Sequence, residues 1–475
     1  MNKKNIPHMY EVVTRQTIEE LKALLGHSSI FSAEHDREAY SLDEMPLAKP
    51  HLPQVIVKPS SKDSIAQLLQ FANRKRIPIT PRGAGTGVSG GCIPIYGGIV
   101  LSLEQMNHIL EIDDNNFTAT VEPGVPLTDL HAALDSHGLY YPLFPGELSA
   151  TIGGNVSTNA GGMNAVMHGV TRHHILGLEA VLPTGETIHT GGKFVKCSTG
   201  YDLTQLIIGS EGTLAVVAKI IVKLTTKPEK REVLFVPFTS LQDAIDAVPE
   251  ILKLSIIPAG LEFMERDIIE IVEKYLDIEL PHHQFNAFLM IITEGHSETE
   301  ITDYFSRVEY ICKQHGAIEA VLPSSERAKR RLLEAREKFY HAIKKVAPLE
   351  IVDVVVPRNE IARFVKTVKE LSQQHTIPVI AYGHAGDGNV HLHPLCINMK
   401  RNEWDKRLPE LMKDIYRAGV DFGGTISGEH GIGFDKKSYI DIGIDAATLS
   451  LMKNIKSAFD PNNILNPGKI FDLTI

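Results

Sequence analysis

Glycine is concentrated in three tracts in the first half of this 475-residue chain, and no other feature of the sequence restricts its fold so strongly. Residues 82–91 read RGAGTGVSGG, with five glycines in ten positions. Residues 145–162 read PGELSATIGGNVSTNAGG, and residues 209–213 read GSEGT. Because glycine loses more backbone entropy on folding than other residues, such density is expected where the backbone approaches a ligand closely.

The first tract fits neither of the two common phosphate-binding signatures. It has no lysine, which the Walker sequence requires, and residues 89–94 (SGGCIP) are a poor start for the helix that must follow a GxGxxG fingerprint. Backbone N–H groups in a glycine-rich turn can still form an anion-binding nest. For this tract alone, a flexible surface loop is an equal alternative. The other two tracts, with their serines, threonines and asparagines, favour a long ligand with phosphates at one place and a polar ring at another.

Apolar patterning around the tracts predicts an α/β arrangement of strands and helices. The strand-like segments are residues 54–57, 77–79, 99–103, 118–121, 177–182, 187–190, 215–224, 234–236 and 288–292. The helix-like segments are residues 61–72, 127–137, 241–253 and 297–315. The polar segment 225–231, which contains Pro228, is the predicted domain seam. Beyond it the alternation predicts a mixed sheet with helices on one face.

The charge and cysteine content exclude several classes of partner and cofactor. The formal net charge of -10 argues against nucleic acid, which is bound through basic patches. Cys92, Cys197, Cys312 and Cys396 form no CxxC pair, a reduced intracellular pattern that cannot supply an iron–sulfur cluster or a zinc knuckle. The first residues, MNKKNIPHMYEVV, lack the apolar core of a secretory signal. A cytoplasmic location is expected, with peripheral membrane association through partner subunits left open.

A cluster of histidines lies in the C-terminal half, where residues 382–393 read YGHAGDGNVHLH. If residues 389–393 form a strand, His391 and His393 point to the same face, and a glycine turn can bring His384 back beside His391. Residues 427–433, SGEHGIG, add Glu429 and His430. Two histidines and a glutamate with one open position are ligands of catalytic divalent metals. Zinc, manganese and iron(II) all suit such ligands, and a set of structural histidines is the alternative.

Six motifs of the chain resemble those of a known flavoprotein superfamily. The motifs PRGAGTGVSGG, PGELSATIGGNVSTNAGG and GSEGT, in this order, resemble the FAD-binding domain of the vanillyl-alcohol oxidase and p-cresol methylhydroxylase superfamily. The motifs YGHAGDGNVHLHP, SGEHGIG and NPGKIF resemble its branch of FAD-linked D-2-hydroxyacid dehydrogenases. That branch includes the bacterial glycolate oxidase D subunit, D-lactate dehydrogenase and D-2-hydroxyglutarate dehydrogenase. The resemblance covers residues 40–475.

The resemblance implies an α+β fold. It consists of a two-subdomain FAD-binding domain of the p-cresol methylhydroxylase type, an α+β cap domain for the substrate, and a C-terminal helical return. The implied divisions are an N-terminal helical extension at residues 1–48, the FAD-binding domain at 49–228, the cap domain at 229–416, and a segment at 417–475 that returns to the FAD-binding domain.

The resemblance also assigns cofactor-binding positions. Some relatives attach the flavin through a histidine in the first glycine tract, and residues 82–91 contain none, so noncovalent FAD is expected. The positions implied for FAD are Pro81, Arg82, Gly83, Ala84, Gly85, Thr86, Gly87, Ser89, Gly90, Pro145, Gly146, Thr151, Ile152, Gly153, Gly154, Asn155, Thr158, Asn159, Gly161, Gly162, Gly209, Glu211, Gly212 and Asn466.

Metal and substrate roles follow from the same resemblance. His384, His391 and Glu429 match the ligands of the metal-dependent relatives, which implies a divalent metal with zinc first and manganese or iron open. His430 matches the histidine that accepts a proton from the substrate. Arg336 matches an arginine that pairs with the substrate carboxylate, and a solvated helix face is its alternative. His393 departs from relatives that have asparagine, and it is expected to contact substrate or to serve as a fourth or alternative ligand.

Together these assignments predict oxidation of a small D-2-hydroxy acid, glycolate or D-lactate, to the 2-oxo acid. In the hydroxyglutarate enzyme a lysine precedes the Asp-x-x-x-Pro stretch, whereas here residues 351–357 read IVDVVVP without it. A second substrate carboxylate would therefore lack its partner, which favours a monocarboxylate and leaves D-2-hydroxyglutarate as the alternative substrate. The alternative functions are a flavin-free metal hydrolase and a flavin-binding scaffold subunit. The electron acceptor is expected to be external: a quinone, an electron-transfer protein or an iron–sulfur partner subunit. A homodimer and a multi-subunit complex both remain open.

Overall fold

The computed structural model describes residues 9–473, which contain strands, α-helices and short 3-10 turns. The strands are β1 (Ile30–Phe31), β2 (Val55–Val57), β3 (Ile79–Arg82), β4 (Ile99–Ser102), β5 (Ile109–Asp113), β6 (Thr118–Val121), β7 (Leu139–Tyr140), β8 (Ile175–Val181), β9 (Thr187–Gly191), β10 (Val216–Lys223), β11 (Thr225–Thr226), β12 (Lys230–Phe238), β13 (Gly260–Glu265), β14 (Ala287–Gly295), β15 (Val352–Val355), β16 (Val379–His384) and β17 (Asn389–Pro394).

The helices alternate with these strands along the chain. They are α1 (Arg15–Leu25), α2 (Glu34–Glu38), α3 (Lys62–Lys75), α4 (Leu127–Leu134), α5 (Ile152–Thr158), α6 (Ala165–His168), α7 (Leu203–Ile207), α8 (Leu241–Ile251), α9 (Arg266–Leu276), α10 (Glu298–Gln314), α11 (Glu326–Glu337), α12 (Phe339–Val346), α13 (Ile361–His375), α14 (Arg401–Asp421), α15 (Ile440–Gly443) and α16 (Ala446–Phe459). The 3-10 turns are His27–Ser29, Asp135–His137, Thr171–His174, Arg358–Glu360 and Lys437–Tyr439.

The described residues form two compact units. Residues 9–160, 170–227 and 429–473 make up the first, and residues 161–169 and 228–428 make up the second. The chain therefore crosses between units four times, at Ala160/Gly161, Gly169/Val170, Lys227/Pro228 and Gly428/Glu429. The implied boundary at residue 416 falls inside α14, a continuous 21-residue helix that stays wholly within the second unit. The implied extension also takes part in the first unit, because β1 pairs with β2.

The first unit contains two larger sheets. In one, with the order β1-β2-β4-β3, strands β2, β4 and β3 run parallel, as expected where helix α3 connects β2 to β3. Helix α3 begins after Ser61, whose hydroxyl accepts a hydrogen bond from the Ser64 N–H at 3.2 Å. It buries Ile65, Leu68, Leu69 and Ala72 completely, at the spacing of one helix face.

The other large sheet of the first unit is antiparallel throughout, with the order β5-β6-β10-β8-β9. Helices α4 and α5 supply Leu127, Leu130, Ile152 and Val156 to the core of this sheet, where all four are fully buried. The first glycine tract follows β3, the second contains α5, and the third lies between α7 and β10.

The second unit contains a six-stranded sheet with the order β12-β14-β13-β16-β17-β15. Every adjacent pair in it is antiparallel, so the expectation of a mixed sheet is wrong. For the β16–β17 pair the hairpin explains this, because a four-residue turn can join antiparallel neighbours only. Along residues 9–473, no helix combines the length and apolar character that a membrane span needs.

Candidate active site

The first and second glycine tracts approach each other closely in the first unit. Pro81 and Arg82 belong to the end of β3, and the turn begins at Gly83. A Cβ atom on Gly83 would collide with the Thr151 hydroxyl, and a Cβ on Gly153 would lie 2.8 Å from the Pro123 carbonyl oxygen. Gly85 has a φ of +78°, which only glycine adopts readily. The Thr151 side chain therefore favours glycine at Gly83, close backbone approach requires it at Gly153, and backbone conformation requires it at Gly85.

The third tract is linked to the C-terminal SGEHGIG segment through Glu211. Its partly buried carboxylate accepts hydrogen bonds from the backbone N–H groups of Ile432 at 2.8 Å and Gly433 at 2.7 Å. Burial raises the pKa of Glu211, although these two donors oppose the rise. The Ser89 hydroxyl, from the first tract, donates to the His430 carbonyl oxygen at 2.6 Å. Two tracts thus fix the backbone around His430.

A cavity in the first unit collects most of the predicted cofactor positions. Those that line it are Pro81, Arg82, Gly83, Ala84, Gly85, Thr86, Gly87, Ser89, Thr151, Gly153, Gly154, Asn155, Thr158, Glu211 and Gly212. His430 lines it as well. The Asn155 side chain is buried, and among residues 9–473 its amide nitrogen has no hydrogen-bond partner. A buried donor at a cavity wall fits a polar ligand, because an unsatisfied group of this kind is otherwise destabilising.

The remaining predicted cofactor positions lie outside the cavity lining. They are Gly90, Pro145, Gly146, Ile152, Asn159, Gly161, Gly162, Gly209 and Asn466. The Ile152 side chain packs in the hydrophobic core, and Gly161 and Gly162 belong to the second unit. Asn466 does not line the cavity but supports two residues that do, because its side-chain amide donates to the carbonyl oxygens of Gly91 at 3.0 Å and Glu211 at 2.8 Å.

The cavity also has lining residues that the sequence did not predict for FAD. They are Asp43, Gly91, Cys92, Leu103, Pro123, Ala150 and Ser157. Asp43 accepts hydrogen bonds from the N–H groups of Met45 at 3.1 Å and Cys92 at 3.3 Å, and burial raises its pKa. Its position in an implied N-terminal extension gave no sequence signal for this role. Burial also lowers the pKa of Lys469 to about 8, and the negative charge of Asp43 opposes this shift.

In the second unit, His384 and His391 face each other across the β16–β17 hairpin. His384 is the last residue of β16 rather than part of the glycine turn, which comprises residues 385–388. The two Nε2 atoms lie 3.2 Å apart and the ring planes are nearly perpendicular, at 85°. Both side chains are buried. The predicted proximity of His384 and His391 is confirmed, although a strand end produces it.

A buried glutamate that no sequence motif indicates, Glu262, joins His384 to Arg336. Glu262 is opposite His384 in the β13–β16 register, and its Oε1 lies 2.7 Å from His384 Nδ1. Its Oε2 accepts a hydrogen bond from Arg336 Nε at 2.8 Å. Burial alone would raise the pKa of Glu262, but His384 and Arg336 together hold it below its ordinary value. Arg336 is 8% exposed, which rules out the solvated helix face.

A second missed carboxylate, Asp353, anchors the other side of the histidine pair. It is fully buried on β15, opposite His391 in the register, and its Oδ1 lies 3.8 Å from His391 Nδ1. Asp353 Oδ1 accepts a hydrogen bond from Asn389 Nδ2 at 2.6 Å, and Oδ2 accepts one from the Gly428 N–H at 2.9 Å. Asp353 therefore fixes the chain immediately before Glu429.

The remaining predicted site residues are His393, Glu429 and His430. His393 shares a strand face with His391, but it stacks on Tyr382 with ring centroids 5.3 Å apart, and its Nε2 lies 3.0 Å from the Tyr382 hydroxyl. Glu429 and His430 belong to the first unit, where Glu429 Oε1 and His430 Nε2 are 3.6 Å apart. The second unit thus presents an imidazole pair and a guanidinium, a set that can bind a cation and an anionic ligand.

Two family models and several known proteins are similar to this chain. The model for the C-terminal domain of FAD linked oxidases matches residues 227–470, and a model for an FAD binding domain matches residues 53–191. Glycolate oxidase subunit GlcD from Bacillus subtilis is 40% identical over 97% of both chains. D-lactate dehydrogenase from Anaerostipes hadrus is 37% identical over 98% of both. A D-lactate dehydrogenase from Archaeoglobus fulgidus is 41% identical over 91% of this chain and 95% of its own.

Solved structures show the fold. The structure of p-cresol methylhydroxylase with substrate bound matches with a TM-score of 0.80, covering 99% of this chain and 98% of its own, at 17% identity. A 4-ethylphenol oxidase from Gulosibacter chungangensis matches with a TM-score of 0.79, over 98% of this chain and 99% of its own. The expected α+β fold of the p-cresol methylhydroxylase type is therefore confirmed.

Proposed function

We propose that this chain, which belongs to the FAD-linked oxidase family and is an FAD-linked oxidoreductase, oxidises D-lactate or glycolate to the 2-oxo acid. The observation that carries the proposal is a buried set of four side chains: Glu262, His384 and His391 share one sheet face, and Arg336 of α11 hydrogen-bonds to Glu262. Such a set provides both metal-ligating nitrogens and a cation for a carboxylate. The names of the Bacillus subtilis and Anaerostipes hadrus relatives support the same substrate class.

We propose that FAD binds noncovalently along the cavity of the first unit. The two glycine tracts let the backbone approach the pyrophosphate, and Asn155 offers the buried donor. A covalent histidine link in residues 82–91 is excluded by the sequence of that tract. A flavin-free hydrolase does not fit the match to the FAD binding domain.

We propose His384, His391 and Glu429 as ligands of a divalent metal, with zinc the first choice. The residues fit this group: Glu262 accepts from His384 Nδ1, which leaves the His384 Nε2 lone pair directed toward His391. Glu429 follows Gly428, whose N–H is anchored on Asp353 next to His391. When bound, FAD would accept hydride and a divalent ion would act as a Lewis acid on the substrate hydroxyl.

The protein's own residues would supply binding and proton transfer. Arg336 binds the substrate carboxylate and so orients Cα, because a guanidinium grips a carboxylate at two points. His430 accepts the hydroxyl proton, since histidine is the side chain that most often acts as a general base. His393, next to Tyr382, borders the substrate as a contact rather than as a metal ligand. The D-configuration follows from the relatives' names alone.

The reduced flavin would pass its electrons to an external acceptor. A quinone, an electron-transfer protein or an iron–sulfur partner subunit would each serve. The Bacillus subtilis and Escherichia coli relatives are named as subunits of glycolate oxidase, which supports assembly with other subunits over a simple homodimer.

Anaerobic reduction of the bound flavin tests the proposed reaction. We expect a yellow protein that releases FAD on acid treatment, and whose flavin is bleached by D-lactate or glycolate, slowly by D-2-hydroxyglutarate and least by L-lactate. D-2-hydroxyglutarate as the fastest substrate would overturn the monocarboxylate choice. Lys344, whose Nζ lies 5.6 Å from the Tyr340 ring centroid, would then be the first cation to test, before Lys345 and Arg358.

A further inference from the structure

We propose that Glu262 is the positioning residue that sets both the ligating nitrogen of His384 and the free edge of Arg336. This inference rests on the proposed function, because it gives a role to a residue behind the metal ligands and the substrate arginine. Glu262 has no exposed surface and contacts the two residues through different oxygens, Oε1 to His384 and Oε2 to Arg336. One carboxylate therefore constrains both functional side chains.

The effect on His384 follows from the chemistry of a carboxylate. An ionised carboxylate only accepts hydrogen bonds, so His384 Nδ1, at 2.7 Å, must carry the proton. A neutral His384 then has its lone pair on Nε2, the atom 3.2 Å from His391 Nε2. Carboxylate partners of this kind fix ring orientation and raise the basicity of a ligating imidazole, and their loss typically weakens metal binding about 10–100-fold.

The effect on Arg336 concerns which side of the guanidinium remains available. Nε donates to Glu262 Oε2 at 2.8 Å. Nη2 lies 2.5 Å from the same oxygen, but in an orientation that forms no hydrogen bond, and among residues 9–473 this buried atom has no hydrogen-bond partner. Tyr382 covers the guanidinium face, with Cζ 4.9 Å from its ring centroid. A substrate carboxylate would therefore use the Nη1/Nη2 end rather than the Nε side.

A second buried glutamate of the same unit provides a matched control. Glu294, on β14, also pairs with an arginine and a histidine, Arg231 Nη1 at 3.1 Å and His168 Nε2 at 3.1 Å. It is 7% exposed and has no contact with His384 or Arg336 among its described hydrogen bonds and ion pairs. Loss of a buried ion pair as such should therefore affect Glu294→Gln and Glu262→Gln equally.

The test measures Zn²⁺ affinity of the FAD-loaded protein by equilibration in graded chelator buffers, with bound zinc quantified by mass spectrometry. We expect Glu262→Gln to weaken Zn²⁺ binding at least about tenfold. Glu294→Gln should stay within about twofold of the natural protein. Flavin absorbance and circular dichroism confirm folding of each variant. If Glu262→Gln does not accumulate, Glu262→Asp carries the same test, because its shorter side chain cannot reach His384 and Arg336 together.

The outcomes separate this inference from the proposed function. Equal Zn²⁺ affinity in Glu262→Gln and the natural protein overturns the positioning role while the metal site stands. Equal losses in Glu262→Gln and Glu294→Gln assign the effect to buried ion pairs in general and also overturn it. Absence of zinc binding in the natural protein overturns both proposals. Selective loss in Glu262→Gln, with a raised KM for D-lactate, supports the shared control of His384 and Arg336.

Discussion

At the scale of single residues, three carboxylates hold the side chains, or the neighbouring backbone, of residues for which we propose catalytic or binding roles. Glu211 accepts from the backbone of residues 432–433 beside His430, Asp353 accepts from the Gly428 N–H before Glu429, and Glu262 joins His384 to Arg336. Glu262 and Asp353 are fully buried and Glu211 is partly buried, so each must be matched by donors to be tolerated. The donors to Glu211 and Asp353 are chain neighbours of His430 and Glu429, and the partners of Glu262 are His384 and Arg336 themselves.

The proposed roles of His430 and Glu429 predict different consequences of substitution. His430→Asn should slow anaerobic flavin reduction by D-lactate about 100-fold or more, because a positioned base typically contributes that much. Its zinc content and FAD content should remain unchanged. Glu429→Gln should lower the zinc content, and His168→Asn, at a partly buried histidine paired with Glu294, serves as the control with unchanged kinetics. Zinc loss in His430→Asn with full occupancy in Glu429→Gln would reverse the two assignments.

The sequence predicted the residues that stand in motifs and missed those that support them. His384 and His391 were identifiable because two imidazoles flank a glycine turn at hairpin spacing. Glu262 and Asp353 lie singly in apolar strands, LEF and VDV, and their partners come from remote segments that no local pattern relates. A lone acid in a buried strand was the available signal, since such a group must have a partner.

At the scale of elements, helix α5 connects the second glycine tract to the rest of the first unit. Thr151 accepts a hydrogen bond from the Gly154 N–H at 3.3 Å and begins the helix, and the Gly153 N–H donates to the Pro123 carbonyl at 2.8 Å. The helix therefore starts in direct contact with the backbone of residue 123. Both glycines line the cavity proposed for FAD.

Adjacent glycines in α5 allow a matched test of this close approach. Gly153→Ala places Cβ 2.5 Å from Pro123 Cβ, which cannot move aside freely, so overpacking should destabilise the first unit by about 1–3 kcal/mol. Gly154→Ala meets only the Thr151 hydroxyl at 3.2 Å. Both variants receive the same gain in helix propensity, about 1 kcal/mol. Urea-induced release of FAD should therefore occur earlier in Gly153→Ala alone. Equal midpoints in the two variants would show that the contact is not restrictive.

Secondary structure was predictable where apolar periodicity is regular and less so at the ends of elements. Helix α3 begins at the serine cap that the sequence indicates, and β17 covers the predicted strand at residues 389–393. The end of β3 extends through Pro81 and Arg82, because both pair with β4, and a proline there gives no strand signal. The strand order within each sheet was not predictable, since it depends on contacts between distant segments.

At the scale of the whole molecule, the proposed cofactor and metal residues divide between two compact units. The residues that line the FAD cavity belong to the first unit, whereas His384, His391, Glu262 and Arg336 belong to the second. The longer second-unit segment runs from Pro228 to Gly428 and ends directly before Glu429 and His430. The boundary that the resemblance implies at residue 416 lies inside α14, which is continuous there.

This division predicts that metal and FAD can be removed independently. EDTA treatment should remove the divalent metal and abolish flavin reduction by D-lactate, because the substrate hydroxyl then loses its Lewis acid. Most FAD should remain bound, since its cavity is built from first-unit residues that chelation does not touch. Visible absorbance after desalting measures retained FAD, and mass spectrometry measures the metal. Addition of Zn²⁺ or Mn²⁺ should restore reduction and identify the better ion. Full flavin reduction in metal-free protein would instead leave His384 and His391 without a metal-binding role.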